Sequence, residues 1–153
     1  PLLLDLARRA DVVFVGLDEA QQLWETTDPQ AVRALLPEPA EVVVKDGGRP
    51  AFAFVDDAPR IVEPALLVDV VEPVGAGDAF AAGYLATRRE GGDVRSALRV
   101  GHALAAGVLG ASSDHGVPPD PQLLAAARSG RPLADAEPSA DSRDGGKERP
   151  TWE

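Results

Sequence analysis

The chain has 153 residues, 44% of them apolar and 26% charged, with no cysteine and a formal net charge of −10 at pH 7. That acidic balance argues against nucleic acid or an anionic membrane as a partner, since both reward basic patches. The missing cysteines exclude disulfides, thiolate metal sites and cysteine nucleophiles. No run approaches the roughly 20 apolar residues of a membrane span, and no basic-then-apolar leader is present, so a cytoplasmic location is expected. A proline in first place sets the expectation that the sequence begins inside a longer chain.

Residues 1–10 (PLLLDLARRA) carry apolar positions at helical spacing and end in two arginines, which suit a helix C-terminus. VVFV (12–15) is a short continuous apolar run that fits a strand buried on both faces. Asp18 then reads as the cap of a short helix, DEAQQLW. Asp28 before Pro29 marks the start of another over 29–36.

EVVVK (41–45) is the next buried strand, followed by the breakers DGGRP. AFAFVD (51–56) alternates small and large apolar residues. IVEP (61–64) and LLVDVV (66–71) supply two further extended stretches, expected as strands returning at a sheet edge. Helical patterns follow over 78–90 and 93–110, divided by Gly91-Gly92, with a last helix near 120–129. Strands alternating with helices in the first half imply an α/β sheet with parallel pairings. Residues 129–153 are rich in Pro, Gly, Ser, Asp and Arg with almost no apolar side chains. They cannot bury enough surface to offset ordering entropy and are expected to be a disordered tail.

Residues 75–78, GAGD, lie after LLVDVV and before a helix, where ligands bind at the carboxyl ends of strands in α/β sheets. Gly75 and Gly77 let a ligand approach the main chain closely. The amides of 75–78 at a helix start lack intrahelical partners and make an anion cradle. Such a cradle suits a phosphate in transfer, and Asp78 at its edge is placed to accept a proton from an attacking hydroxyl. Equally, aspartate is among the best N-cap residues, and glycine-rich turns before helices are common. The spacing matches neither a P-loop nor a dinucleotide fingerprint.

VVEPVGAGDAFAAGYLA closely resembles the second signature of the ribokinase-like (PfkB) carbohydrate kinases: an acid, two residues, then GAGD-x-F-x-x-G. The matching positions are Glu72, Gly75, Ala76, Gly77, Asp78, Phe80 and Gly83. The resemblance implies a three-layer α/β/α sandwich of which residues 1–128 form the carboxyl-terminal half. It also implies that Gly75, Ala76 and Gly77 form the anion hole, and that Asp78 is the base acting on the sugar hydroxyl. ADVVFVGLDEAQQL resembles the segment carrying Asn-x-x-Glu, with Glu19 as the glutamate that positions hydrated magnesium and Gly16 in place of the asparagine. VVVKDGGRPAF resembles the VKLGxxG loop bordering ATP, so Lys45, Gly47 and Gly48 are expected at the nucleotide, with Pro50 where glycine is usual.

VGHALAAGVLGASSDHG resembles the helix and loop beside adenine. His102 there stands where asparagine is common, and reads equally as a locally hydrogen-bonded helix residue. Asp114 lies where the 2-keto-3-deoxygluconate kinase branch places a substrate-facing acid, and the GLDE segment points to the same branch. Glu72 stands where aspartate is usual, near a monovalent-cation site. The resemblance thus implies ATP and Mg2+ as cofactors, a sugar or sugar-acid substrate with 2-keto-3-deoxygluconate first, and a homo-oligomeric parent protein. Fructokinase, ribokinase and nucleoside kinase activities are the alternatives within the class. A truncated, non-catalytic nucleotide-binding module is the alternative outside it, because the resemblance places the lid and the amino-terminal substrate residues ahead of residue 1.

Overall fold

The computed structural model describes residues 2–56, 58–71, 73–110 and 121–129. Chain order is α1 (Leu2–Arg8), β1 (Val12–Gly16), α2 (Leu17–Trp24), α3 (Pro29–Leu35), β2 (Glu41–Lys45), β3 (Ala51–Val55) and β4 (Ile61–Glu63). Then follow α4 (Ala76–Arg89), α5 (Val94–Leu109) and α6 (Pro121–Arg128).

The two valine runs pair with each other. β1 and β2 are parallel, with Val13 opposite Val42 and Gly16 opposite Lys45. β2–β3 and β3–β4 are antiparallel, giving a four-stranded sheet in the order β1-β2-β3-β4. The expected parallel pairing therefore holds for the first two strands, and the strands after it do return at the sheet edge.

Alternate residues of each strand feed opposite faces, as the pleat requires. Val13, Val15, Val42, Val44 and Phe54 pack with Ala20, Val32 and Leu36 beneath α1, α2 and α3. Val43, Ala51 and Ala53 pack with Phe80, Tyr84, Ala97 and Leu98 of α4 and α5 on the other side. Both faces are covered, which is why these strands read as unbroken apolar runs. The result is three layers: helices, sheet, helices.

α4 and α5 meet at their glycines. A Cβ at Gly83 would lie 3.0 Å from the Val100 carbonyl oxygen, and one at Gly101 would lie 3.0 Å from that of Phe80. The far end of α4 is pinned to the start of β2. Tyr84 donates to Glu41 Oε2 at 2.8 Å, and Arg88 Nε donates to Glu41 Oε1 at 3.0 Å. Burial, followed by the neighbouring Glu41, pushes the Tyr84 hydroxyl pKa well up, so it stays a neutral donor. α4 is thereby held at its middle and at its carboxyl-terminal end.

Three sequence expectations need correcting. LLVDVV (66–71) is not a strand: regular pairing stops at Glu63, before a proline that has no N–H to donate. Leu67 and Val70 are exposed, and the Val71 N–H bonds to the Leu109 carbonyl at the end of α5 instead of to a ladder. Second, the N-cap of α2 is Gly16 and not Asp18, which is the second residue of that helix. Third, Asp78 does not cap α4. Gly75 is the N-cap, with φ of 83°, a left-handed conformation that favours glycine, and Asp78 is the third helical residue.

The tail expected over 129–153 lies outside the described residues beyond Ser129, as do Glu72 and Asp114. No helix among the described residues is long and apolar enough to cross a membrane.

Candidate active site

A cleft of about 440 Å³ opens at the carboxyl ends of β1 and β2. That volume is within the range of small-molecule sites, roughly 300–1,000 Å³. Its floor and mouth come from four places. The β1–α2 junction gives Gly16, Asp18 and Glu19, and the end of β2 with its turn gives Lys45, Gly47 and Gly48. The first turns of α4 give Ala76, Gly77 and Phe80, while α5 gives His102, Ala105, Ala106 and Leu109. The segment between β4 and α4 closes one side with Leu66, Val70 and Pro73. One end of the cleft is thus polar and glycine-rich, and the other is apolar.

The first turn of α4 explains the polar end. With Gly75 as N-cap, the amides of Gly77 and Asp78 have by position no intrahelical acceptor. The helix dipole favours an anion in front of them. A Cβ at Gly77 would stand 2.9 Å from Lys45 Nζ, so only glycine lets the ammonium settle against this stretch of main chain. The same Nζ lies 5.6 Å from the centroid of the Phe80 ring.

Phe80 organises the centre. It is 2% exposed, meets Phe14 edge-on, and meets His102 at 5.1 Å between centroids with the planes 79° apart. His102 Nε2 is 3.3 Å from the Glu63 carbonyl oxygen, which can only accept, so Nε2 carries the proton. Burial pushes the imidazole below its ordinary pKa; the Glu63 carbonyl works against that, and the Lys45 charge adds to it. His102 is neutral at pH 7. The bond joins α5 to the end of β4, 39 residues away, and is not one within the helix, and His102 also lines the cleft.

At the opposite lip, the Gly16 N–H donates to Glu19 Oε2 at 2.8 Å, half of a capping box in which a glycine N-cap has no side chain to reciprocate. The second Glu19 oxygen is not used by that bond. A Cβ at Gly16 would lie 2.8 Å from Asp18 Oδ1 and 3.1 Å from Glu19 Oε2, so the two carboxylates crowd the space an asparagine would need. Asp18 and Glu19 are both exposed.

Of the residues singled out in the sequence, Glu19, Lys45, Gly47, Gly48, Ala76, Gly77 and His102 line one cleft. Gly75 and Asp78 flank the lining residues in the chain, and Asp78 is exposed with no side-chain hydrogen bond to another described residue. Asp114 lies outside the described residues. Sequence reading missed Asp18 as a cleft residue by taking it for a cap. It also missed Glu63, a buried carboxylate whose oxygens accept from Arg95 NH1 at 2.9 Å and Arg99 Nε at 2.7 Å. The one available signal was a lone acid in an apolar strand, IVEP.

A mixed sheet between two helical layers, with a glycine-bounded cleft at its strand ends, defines the class: the chain has the ribokinase-like fold and belongs to the pfkB family of carbohydrate kinases, whose match spans residues 1–120. Among its relatives is the 2-dehydro-3-deoxygluconokinase of Dickeya dadantii, 31% identical over 110 residues, covering 69% of this chain and 36% of that protein. The chain spans about a third of the length of the curated relatives it matches. Among solved structures, adenosine kinase from Sinorhizobium meliloti aligns with a TM-score of 0.69 at 29% identity, over 84% of this chain and 39% of that one. A candidate ribokinase II from E. coli, solved in complex with ATP and Mg2+, aligns with a TM-score of 0.64 at 26% identity, over 72% and 36%.

Proposed function

We propose that this chain carries the phosphoryl-transfer centre of an ATP-dependent sugar kinase, with 2-keto-3-deoxygluconate as the first candidate substrate. The observation that carries the reading is the convergence of Ala76 and Gly77, Lys45 and the apolar wall of α5 on one cleft. The substrate assignment rests on the relatives that carry that activity in their names.

In this reading the phosphates of ATP lie at Gly75, Ala76 and Gly77, with Lys45, Gly47 and Gly48 alongside them. The purine lies against Ala105, Ala106 and Leu109, and His102 stands between the two regions. The sugar hydroxyl gives its proton to the Asp78 carboxylate while its oxygen forms a bond to the γ-phosphorus. The bond from that phosphorus to the β–γ bridging oxygen breaks, and ADP leaves with the electron pair. The amides of the α4 first turn meet the negative charge on the transferring oxygens. Because Asp78 is not the N-cap and forms no side-chain hydrogen bond to another described residue, both its carboxylate oxygens are available to substrate.

The residues at the Gly16 lip fit a hydrated magnesium ion: two exposed carboxylates, Asp18 and Glu19, face the polar end of the cleft, and hard oxygen donors are what that ion takes. Asp18 and Glu19 would hold the ion, and it would supply positive charge against that of the phosphates. A cytoplasmic enzyme, acting as a homo-oligomer and with a monovalent cation near Glu72, belongs to the same reading.

The test is a coupled ATP-to-ADP assay on the intact protein with 2-keto-3-deoxygluconate, fructose, ribose and adenosine. Turnover with the first alone is expected. Turnover with another of them moves the substrate and keeps the chemistry. Nucleotide binding with no turnover on any of the four would favour the non-catalytic module instead.

A further inference from the structure

A second concavity, of about 500 Å³, lies at the other end of the sheet from the cleft. The cleft opens where β1 and β2 end. This one is lined by α3, by Phe54 of β3 and by the turn from β3 to β4, beside the start of β2. The two share no lining residue. Its polar lining is Gln30, Arg33, Asp56 and Arg60, so it carries two positive charges against one negative. That excess runs against a chain with 25 acidic and 15 basic residues.

Arg33 is hydrogen-bonded but not neutralised. Its NH1 donates to the Leu36 carbonyl at 3.1 Å and the Pro39 carbonyl at 2.7 Å, and its NH2 to the Asp56 carbonyl at 3.4 Å. Carbonyl oxygens accept N–H groups and carry no net charge. These bonds tie the end of α3, the approach to β2 and the turn after β3 to one guanidinium, which fixes the place of its charge. Asp56 is fixed with it: φ is 45°, a left-handed conformation, and its N–H donates to the Ala40 carbonyl at 3.0 Å.

Arg60 is exposed, with its guanidinium carbon 5.9 Å from the centroid of the Phe52 ring. The ring face attracts the group and places it, and leaves its N–H donors unused. Among the described residues neither arginine forms an ion pair, although the Asp56 carboxylate lines the same concavity. Two guanidinium groups on one concavity repel each other, and an oxyanion between them turns that repulsion into attraction. The planar fork of a guanidinium matches two oxygens of a carboxylate or a phosphate.

We propose that this concavity is a second ligand site, which takes a small oxyanion, a phosphate monoester or a carboxylate, on Arg60 and Arg33. The volume suits a small metabolite, whose carbon skeleton lies against Phe54 and Pro59. Arg60 supplies the free donors and Arg33 the fixed charge. Asp56 is a like charge that weakens the anion. The site stands apart from the cleft and does not depend on the phosphoryl-transfer reading.

The experiment follows local signals, because phosphate also fits the cleft. Inorganic phosphate and succinate are each titrated into the intact nitrogen-15-labelled protein at constant ionic strength. NMR follows the main-chain amides of Ala58 and Arg60 and the Nε–H of Arg33. Saturable shifts at these groups are expected; a response to phosphate alone assigns a phosphate ester, and one to succinate alone a carboxylate. Arg60→Gln should weaken the affinity about tenfold or more, with an unchanged thermal midpoint because the side chain is exposed. Asp56→Asn should tighten it about two- to fivefold by removing the like charge. No saturable shift with either anion would overturn the proposal, as would the same shifts with sodium chloride or an unchanged affinity in Arg60→Gln. Weaker binding in Asp56→Asn would also overturn it, because the concavity would then be built for a ligand that carries a cation.

Discussion

Arg99 Nε donates to Glu63 Oε1 at 2.7 Å across 36 residues of sequence, and the two side chains are 9% and 5% exposed. The main-chain carbonyl of the same Glu63 accepts a hydrogen bond from His102 Nε2. One residue at the end of β4 therefore holds α5 to the sheet and sets the tautomer of a cleft residue. With Arg95 adding a second ion pair, α5 is fixed along the stretch that presents His102, Ala105 and Ala106 to the cleft.

Glu63→Gln should be costly. It keeps the shape and removes the charge, leaving Arg99 buried without a counter-ion, a loss on the order of 3–5 kcal/mol. The low end applies, because Arg95 is 49% exposed and can turn to water. The same change at Glu90 should cost less than about 1 kcal/mol, since its pair with Arg128 spans 3.7 Å with both side chains more than half exposed. Urea unfolding of the two variants in the intact protein checks the contrast.

His102 should make stability depend on pH in one direction. Burial depresses its folded pKa below the ordinary 6.5, so the unfolded chain binds the proton more readily. The contribution is complete above pH 6.5 and is lost as pH falls below it toward the folded value. Urea midpoints between pH 8 and pH 5 should show a fall beginning near 6.5, and His102→Asn should flatten that part of the profile. An identical profile in the variant would remove His102 as its source.

The α4–α5 crossing should not tolerate a side chain. Gly83→Ala would place a methyl group 2.8 Å from Leu104 Cδ1 and 3.0 Å from a main-chain oxygen that cannot move aside cheaply. Parting the helices should cost about 1–3 kcal/mol and tilt the α4 cradle against the α5 wall. Gly48→Ala meets nothing within 4 Å and should be close to neutral. Thermal midpoints of the two variants compare them directly.

Much of this arrangement was legible in the sequence, for local reasons. The valine runs of β1 and β2 are continuous because helices cover both faces, and the GAGD turn is readable because chemistry and backbone geometry demand the same few residues. What was not legible depends on distant partners. LLVDVV has the composition of a strand, but no neighbouring edge reaches it, and Val71 spends its N–H on the end of α5. Asp18 and Asp78 each have the composition of a cap. In these helices a glycine two or three residues earlier already fills that place, which leaves both carboxylates exposed. Glu63 and Glu41 became anchors only when arginines 36 and 47 residues away folded onto them.

The most direct test of the account is single-turnover transfer from γ-labelled ATP in the intact protein, comparing Asp78→Asn with the unmodified chain alongside measured ATP affinities. If Asp78 is the base at the edge of the cradle, transfer should slow by about 10²–10⁴-fold, while ATP affinity stays within about twofold because the α4 amides and Lys45 are untouched. Transfer at the unmodified rate in Asp78→Asn would contradict the assignment of the GAGD turn as the catalytic centre.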